Sequence, residues 1–326
     1  MGKAAFVTGA TGFLGTNLVK ELVAQDWQVH IIHRNSSNLK YISTLNVEKK
    51  IGSIEDIDAL LNSIPQNIDA IFHVAANTSF WSRFNQEQFR TNVIGTQNVI
   101  KAAQIRNVGR LIHTSSLSVY GFHSKRINEK TPSNALDSGI NYFVTKYLAE
   151  QEIKKAISKG LDAVILNPAH IVGPYDTHNW VQIFNNVNRG KMPGIPNNLG
   201  TFTYAPEVAK AHIKAFEKGK KGESYLLGGV EASMLQFVNT IESLLGKSIS
   251  TKTTSLWVLK LATIAYQLGA IINDKEPILT PEKTKLLSHN VLCDDSKAQA
   301  ELDFIITPLE EIVAATFQWL KQEKML

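Results

Sequence analysis

Apolar positions follow two alternating rhythms through the first half of this chain. Residues 4–7, 29–32, 69–76, 110–116 and 161–166 are short, nearly continuous apolar runs, as expected of strands buried on both faces. Between them, residues 16–23, 54–64 and 84–106 repeat their apolar positions at helical spacing. Ser53 opens the second of these helices and Pro65 stands just beyond its end. Strand and helix in alternation predict an α/β fold with a doubly wound parallel sheet. After Asn167-Pro168 the rhythm changes. Gly173-Pro174, the segment 190–196 and Asn197-Asn198-Leu199-Gly200 are rich in turn formers, and helices are expected near 233–245, 256–272 and 309–321. The expected division is a sheet domain over residues 1–167 and a smaller lobe over 168–326, with later segments crossing back to the sheet.

The first strand runs into Thr8-Gly9-Ala10-Thr11-Gly12-Phe13-Leu14-Gly15 and then into a helix. Glycine permits backbone angles closed to other residues and lets the chain approach a ligand closely. The helix that follows offers unpaired N–H groups and the positive end of its dipole, which favours an anion such as a pyrophosphate. The spacing is Gly-x-x-Gly-x-x-Gly, which differs from the commoner dinucleotide fingerprint. At the end of the second strand, His33-Arg34-Asn35-Ser36 presents an arginine where an acid would hold a ribose 2′-hydroxyl. NADP is therefore expected in preference to NAD.

Composition narrows the class. The 326 residues are 44% hydrophobic and 19% charged, with ample material for a core. A net charge of +5 and a pI near 9.0 come without any dense basic run beyond Lys218-Gly219-Lys220-Lys221. Nucleic-acid binding is not expected, whereas a phosphorylated cofactor is compatible. The single cysteine, Cys293, excludes an intrachain disulfide, and the nine histidines show no metal-ligand spacing, so no metal is expected. With no secretory signal, the expected location is the cytoplasm. Residues 256–272 form the longest apolar stretch. Lys260 and Gln267 interrupt it, so a buried or surface-packed helix is expected there and no membrane span.

Tyr142-Phe143-Val144-Thr145-Lys146 puts a phenol and an ammonium one helical turn apart, about 6 Å along the axis. A cation so placed should lower the phenol's pKa and fit it for proton transfer to a reacting oxygen. Ser116, at the end of a central strand, can hydrogen-bond the same oxygen. Together with the glycine loop, His73-Val74-Ala75-Ala76, Asn92-Val93-Ile94-Gly95-Thr96, Val119-Tyr120-Gly121 and Asn167-Pro168, these motifs resemble the extended short-chain dehydrogenase/reductase superfamily. Arg34 makes the chain most similar to the dihydroflavonol-4-reductase branch, which has 3β-hydroxysteroid dehydrogenase relatives.

The resemblance implies a Rossmann fold, Tyr142 as general acid/base, Lys146 tuning it and holding the nicotinamide ribose, and Ser116 orienting the substrate oxygen. It also implies Gly9, Thr11, Gly12, Phe13 and Leu14 on the pyrophosphate, Ser53-Ile54 beside the adenine, and Ala75 and Ala76 along the cofactor. Pro168 and Ile171 would lie against the nicotinamide, and Asn92 would brace the backbone. Ser53 replaces the family's usual Asp, and Tyr204-Ala205-Pro206-Glu207 replaces its Val-Asp-Asp pattern, so no role is carried to the latter. Phe80, Trp81, His170, Trp180, Phe184 and Tyr204 are candidate substrate contacts and would suit a hydrophobic carbonyl or alcohol. The expected activity is NADP-dependent reduction of a ketone or aldehyde, reversible as alcohol oxidation. A nucleotide-sugar epimerase or dehydratase on the same fold and a non-catalytic dinucleotide sensor are the alternatives. A homodimer is implied by the resemblance alone.

Overall fold

The structure is a computed structural model and describes residues 2–273 and 276–326. Its first half comprises β1 (Ala4–Thr8), α1 (Phe13–Ala24), β2 (Gln28–His33), β3 (Val47–Ile51), α2 (Ile57–Ser63), β4 (Ala70–His73), α3 (Asn85–Phe89), α4 (Gly95–Ile105), β5 (Arg110–Thr114), α5 (Asn141–Ser158) and β6 (Ala163–Pro168). There follow β7 (His170–Val172), α6 (Val181–Asn188), β8 (Leu199–Tyr204), α7 (Ala205–Lys218), β9 (Ser224–Leu227) and β10 (Val230–Ser233). Helices α8 (Met234–Leu244), α9 (Leu256–Asn273), α10 (Pro281–Leu286), α11 (Ser296–Leu302) and α12 (Leu309–Gln322) complete the chain.

Seven strands pair in the order β3-β2-β1-β4-β5-β6-β9, every neighbour parallel. This is the doubly wound Rossmann sheet that the alternating rhythm predicts. On one face Leu18, Leu22, Phe72 and Ile213 are fully enclosed between the sheet and helices α1 and α7. On the other, Leu60, Val99 and Ile153 join α2, α4 and α5 to it. The order reverses between β1 and its two neighbours, which opens a crevice beyond the carboxyl ends of β1 and β4. A second sheet, β10-β8-β7, packs with α6, α8 and α12 around Phe184, Phe202 and Phe237 to form the smaller lobe. Strand β9 belongs to the large sheet, paired with β6, so the chain crosses back after the second lobe has begun.

Local chemistry accounts for the departures from expectation. Helix α2 starts at Ile57 because the Asp56 carboxylate accepts from the Asp58 and Ala59 amides at 2.9 and 3.1 Å, a side-chain cap. The long helix expected over 84–106 runs without interruption from Asn85 to Ile105, but carries a π-helical turn, Arg90–Ile94, between α3 and α4. Strand β3 carries Glu48, Lys49 and Lys50 and shows no apolar run, because it lies at the sheet's edge, where charged residues guard an unpaired rim. No helix among the described residues is long and apolar enough to cross a membrane.

Candidate active site

The turn after β1 is built around three glycines. Gly9 has φ +71° and lies so close to Ala75 that a Cβ would sit 2.6 Å from the Ala75 nitrogen. A Cβ on Gly15 would fall 2.0 Å from the Gly9 carbonyl oxygen, so the first turn of α1 packs directly on the loop. Gly12 precedes α1, and no side chain caps that helix or places an acid in its first turn. The amides of Phe13 and Leu14 therefore begin the helix with its positive end open to an anion. Leu14 sends its side chain into the core, so any contact it makes with an anion comes from its backbone.

Behind this loop a hydrogen-bonded chain fixes β4 to its neighbours. Ala75 N donates to Thr8 Oγ1 at 3.3 Å, and the Thr8 hydroxyl meets His73 Nδ1 at 2.8 Å. His73 Nε2 lies 2.9 Å from Thr96 Oγ1, whose own proton goes to the Asn92 carbonyl at 2.6 Å. Thr96 thus accepts, and the His73 proton sits on Nε2. Burial drives the His73 pKa down to about 3, with the Lys146 charge adding to the effect, so the ring is a neutral brace. Asn92 reaches from the π-helical turn to clamp Asn77, accepting from its amide at 2.8 Å and donating to its carbonyl at 3.0 Å. Its Nδ2 also donates to Thr145 Oγ1 at 3.1 Å, tying the loop after β4 to α5. Asn92 thereby braces backbone.

Strand β5 stops at Thr114. Ser116 stands outside it with extended angles (φ −161°, ψ 153°), its oxygen accepting from the Ser118 amide at 3.2 Å. The Ser116 hydroxyl also faces the Tyr142 phenol closely enough to pull its pKa down. Lys146, one turn along α5, is buried and donates from Nζ to the Thr114 carbonyl at 2.8 Å. The three side chains therefore meet at the carboxyl end of β5. The expected lowering of the Tyr142 pKa by Lys146 does not appear. Burial raises the phenol, only the Ser116 hydroxyl opposes it, and burial likewise brings Lys146 down to about 8.

Beneath this group lies Glu150, a residue the sequence reading did not single out. Its Oε2 accepts from Ser115 Oγ at 2.6 Å and from Asn167 Nδ2 at 2.8 Å. Asn167 Nδ2 also donates to the Ser116 carbonyl at 3.2 Å. One buried carboxylate thus links the serine loop, the end of β6 before Pro168, and the helix bearing Tyr142. The i, i+4 spacing to Lys146 was its only trace in the sequence.

The remaining candidates separate. Phe80 packs on Tyr142 with ring centroids 5.3 Å apart. Trp81 instead meets Phe84 and lies under Arg83. His170, Trp180 and Phe202 pack together, and Trp180 and Phe184 both reach Phe237 in the core of the small lobe. Phe184 is fully enclosed and offers no surface to a ligand. Tyr204 ends β8 beside Glu207 and Lys210, and burial raises its phenol. Pro168 is buried at the end of β6, while Ile171 packs from β7 against the large-sheet core. Ser53 turns its hydroxyl to the Glu55 amide at 3.1 Å, and the Ile54 carbonyl accepts from Asn98 at 3.0 Å. Ala76 follows Ala75 in the loop after β4, half-buried. Arg34 is exposed in the turn after β2, and Lys40 downstream is paired with Glu323.

The profile of the NAD dependent epimerase/dehydratase family matches residues 5–228. A Synechocystis protein with the provisional name dihydroflavonol 4-reductase is 30% identical over 330 residues, covering 98% of this chain and 95% of its own. The 2-alkyl-3-oxoalkanoate reductase of Stenotrophomonas maltophilia is 30% identical over 326 residues, covering 93% and 94%. A UDP-glucuronic acid 4-epimerase variant from Bacillus cereus, solved with a fluorinated UDP-sugar and NAD, superposes with a TM-score of 0.79 at 22% identity, covering 98% and 99%. Further structures of this fold also hold NAD. These complexes overturn the expected preference for NADP. This chain belongs to the NAD dependent epimerase/dehydratase family of extended short-chain dehydrogenases/reductases, near the dihydroflavonol-4-reductase branch, and is an NAD-linked enzyme of that family.

Proposed function

We propose that this enzyme interconverts a carbinol and a carbonyl carbon using NAD, with Tyr142 carrying the proton of the reacting oxygen. The observation behind this reading is the placement of Ser116 and Tyr142, close enough to interact, at the end of β5 where the buried Lys146 bonds the Thr114 carbonyl. Ser116 would hold the substrate oxygen within reach of the phenol. Lys146, with one proton committed to the Thr114 carbonyl, keeps its others for the ribose hydroxyls of the cofactor. The cradle of Gly9, Gly12 and Gly15 and the uncapped start of α1 fit a pyrophosphate, since a Cβ at Gly9 or Gly15 would displace the loop. Thr11 and the amides of Phe13 and Leu14 would complete that contact, Ala75 and Ala76 would line the cofactor, and Ser53 and Ile54 would flank the adenine. Pro168 and Ile171 would meet the nicotinamide. A bound NAD supplies or accepts the hydride.

Two substrate classes have support. The NAD-bearing structures and the family profile favour a nucleotide sugar, whose epimerisation or dehydration opens with the same removal of a hydride. The Phe80 ring on Tyr142, with Phe122 and Leu286 against the same cluster, favours an apolar ketone or alcohol, as do the names of the two full-length relatives. Following NAD(H) absorbance over a panel of apolar alcohols and ketones, beside product analysis of a panel of UDP-sugars, whose epimerisation or dehydration returns the hydride and leaves no net NADH, separates them. Tyr142→Phe should reduce turnover ~10²- to 10⁴-fold while leaving NAD affinity little changed. Full activity in that variant would remove Tyr142 from the chemistry, and turnover confined to one panel would eliminate the other class.

A further inference from the structure

Helix α9 has one face set into the protein. Leu259 and Thr263 are buried, and the Thr263 hydroxyl meets that of Thr284 on α10 at 2.5 Å. The opposite face carries Trp257, Leu261, Ile264 and Leu268, which are 65, 56, 54 and 60% exposed. Their spacing of i, i+4, i+7 and i+11 stacks them in one stripe about 16 Å long. Sequence periodicity led to the expectation of a buried or packed helix, yet its most apolar stripe points away from the body. Ile249, Leu256 and Val258 extend the exposed apolar surface.

The charged residues from Lys247 through Lys260 are all basic. Lys247, Lys252 and Lys260 are exposed, and no Asp or Glu occurs between Glu242 and Asp274. Glu242 itself is buried, accepting from both the amide and the hydroxyl of Ser250 at 2.7 Å. A second copy of this chain docking face to face would bring like charges together with no acid to answer them, because a two-fold interface pairs a patch with itself. We infer that α9 docks on an anionic lipid surface, lying in the interface with Trp257, Leu261, Ile264 and Leu268 among the acyl chains and Lys252 and Lys260 at the headgroups. The helix does not span the bilayer. Aromatic rings such as Trp257 favour this depth.

The position of α9 relative to the site gives the docking a direction. Glu276, shortly after α9, accepts from the Ser79 hydroxyl at 3.0 Å and pairs with Lys283 of α10 at 2.9 Å. Leu286 of α10 packs on the cluster that also holds Phe80 and Tyr142. The segment bearing the stripe is therefore tied to the wall of the candidate cleft, which would face the lipid. The docking itself does not depend on which substrate the cleft takes.

Flotation of the purified protein with vesicles tests this, using phosphatidylcholine alone and phosphatidylcholine containing about 30 mol% phosphatidylserine. The wild type should float with the anionic vesicles, less so as salt is raised, and poorly with the neutral ones. Leu261→Asp with Leu268→Asp should abolish flotation while leaving the thermal unfolding midpoint unchanged. Lys252→Ala with Lys260→Ala should reduce partitioning roughly thirtyfold. No flotation of the wild type, or flotation undiminished by the aspartates, overturns the proposal. Light scattering that shows a dimer dissolved by the aspartates, without vesicle binding, overturns it too and assigns the face to a second copy.

Discussion

Replacing Glu150 by Gln removes one negative charge from beneath the tyrosine–lysine pair and leaves the packing nearly unchanged. The amide can still turn an oxygen toward Ser115 Oγ and Asn167 Nδ2, which are 2.6 and 2.8 Å from Oε2. What it loses is the pull on Lys146, whose pKa burial lowers to about 8 against the raising effect of the carboxylate. One helical turn, about 6 Å, at an effective dielectric constant near 20 gives ~3 kcal/mol, or about 2 pKa units. The Lys154 ammonium, 2.7 Å from Oε1, already offsets part of that charge, so a fall of about 1 unit is expected. The assay is kcat/KM against pH, whose alkaline limb should move to lower pH by the same amount. Stability gives an independent reading. The ordinary lysine value of 10.5 lies above the folded one, so between pH 8 and 10.5 the unfolded chain holds a proton that the folded chain has released. Stability therefore rises with pH across this window, and in Glu150→Gln the rise should begin earlier. Glu150→Leu strips the acceptor from both donors and should cost about 3 kcal/mol. An alkaline limb that stays in place in a folded Glu150→Gln enzyme would refute the coupling.

Gly15→Ala places a methyl group 2.0 Å from the Gly9 carbonyl oxygen. It should cost ~1–3 kcal/mol of stability and abolish NAD binding measured by titration calorimetry. Gly269→Ala, in α9 with nothing within 4 Å of the new carbon, should stabilise by up to ~1 kcal/mol and serves as the control. Acid should weaken the fold steeply. Burial holds His73 near 3 and His170 and His212 near 4, with His113 well below 6.5, so each stays neutral in the folded chain. As pH falls from 6.5 toward 4, the unfolded chain binds protons that the folded chain refuses, which costs ~1.4 kcal/mol per pH unit for each histidine. Urea midpoints at pH 7, 6 and 5 should fall progressively, and a flat profile would contradict the neutral assignments.

Much of the large sheet was legible because buried parallel strands are uniformly apolar and their helices are amphipathic. Edge strand β3 was not, because its Glu48, Lys49 and Lys50 match no buried pattern. The π-helical turn inside the expected helix over 84–106 was hidden as well. A π-helical turn changes the hydrogen-bond register without changing composition, and its consequence is that Asn92 reaches Asn77. Glu150 escaped notice because an acid on a helix reads as solvated surface, whereas here it is enclosed by Ser115 and Asn167.

Local sequence alone determined the glycine turn, the position of Tyr142 one helical turn before Lys146, and the parallel architecture, since each follows from backbone sterics or the period of the apolar residues. Tertiary structure decided which charges act on which groups. Burial decides the Tyr142 pKa, because removing a phenolate from water costs more than the Ser116 hydroxyl returns. It also turned the apolar stripe of α9 outward, because the underside of that helix is buried at Leu259 and Thr263, with Thr263 set against α10. Periodicity identifies an apolar face, but only the packing of the whole chain fixes what that face meets.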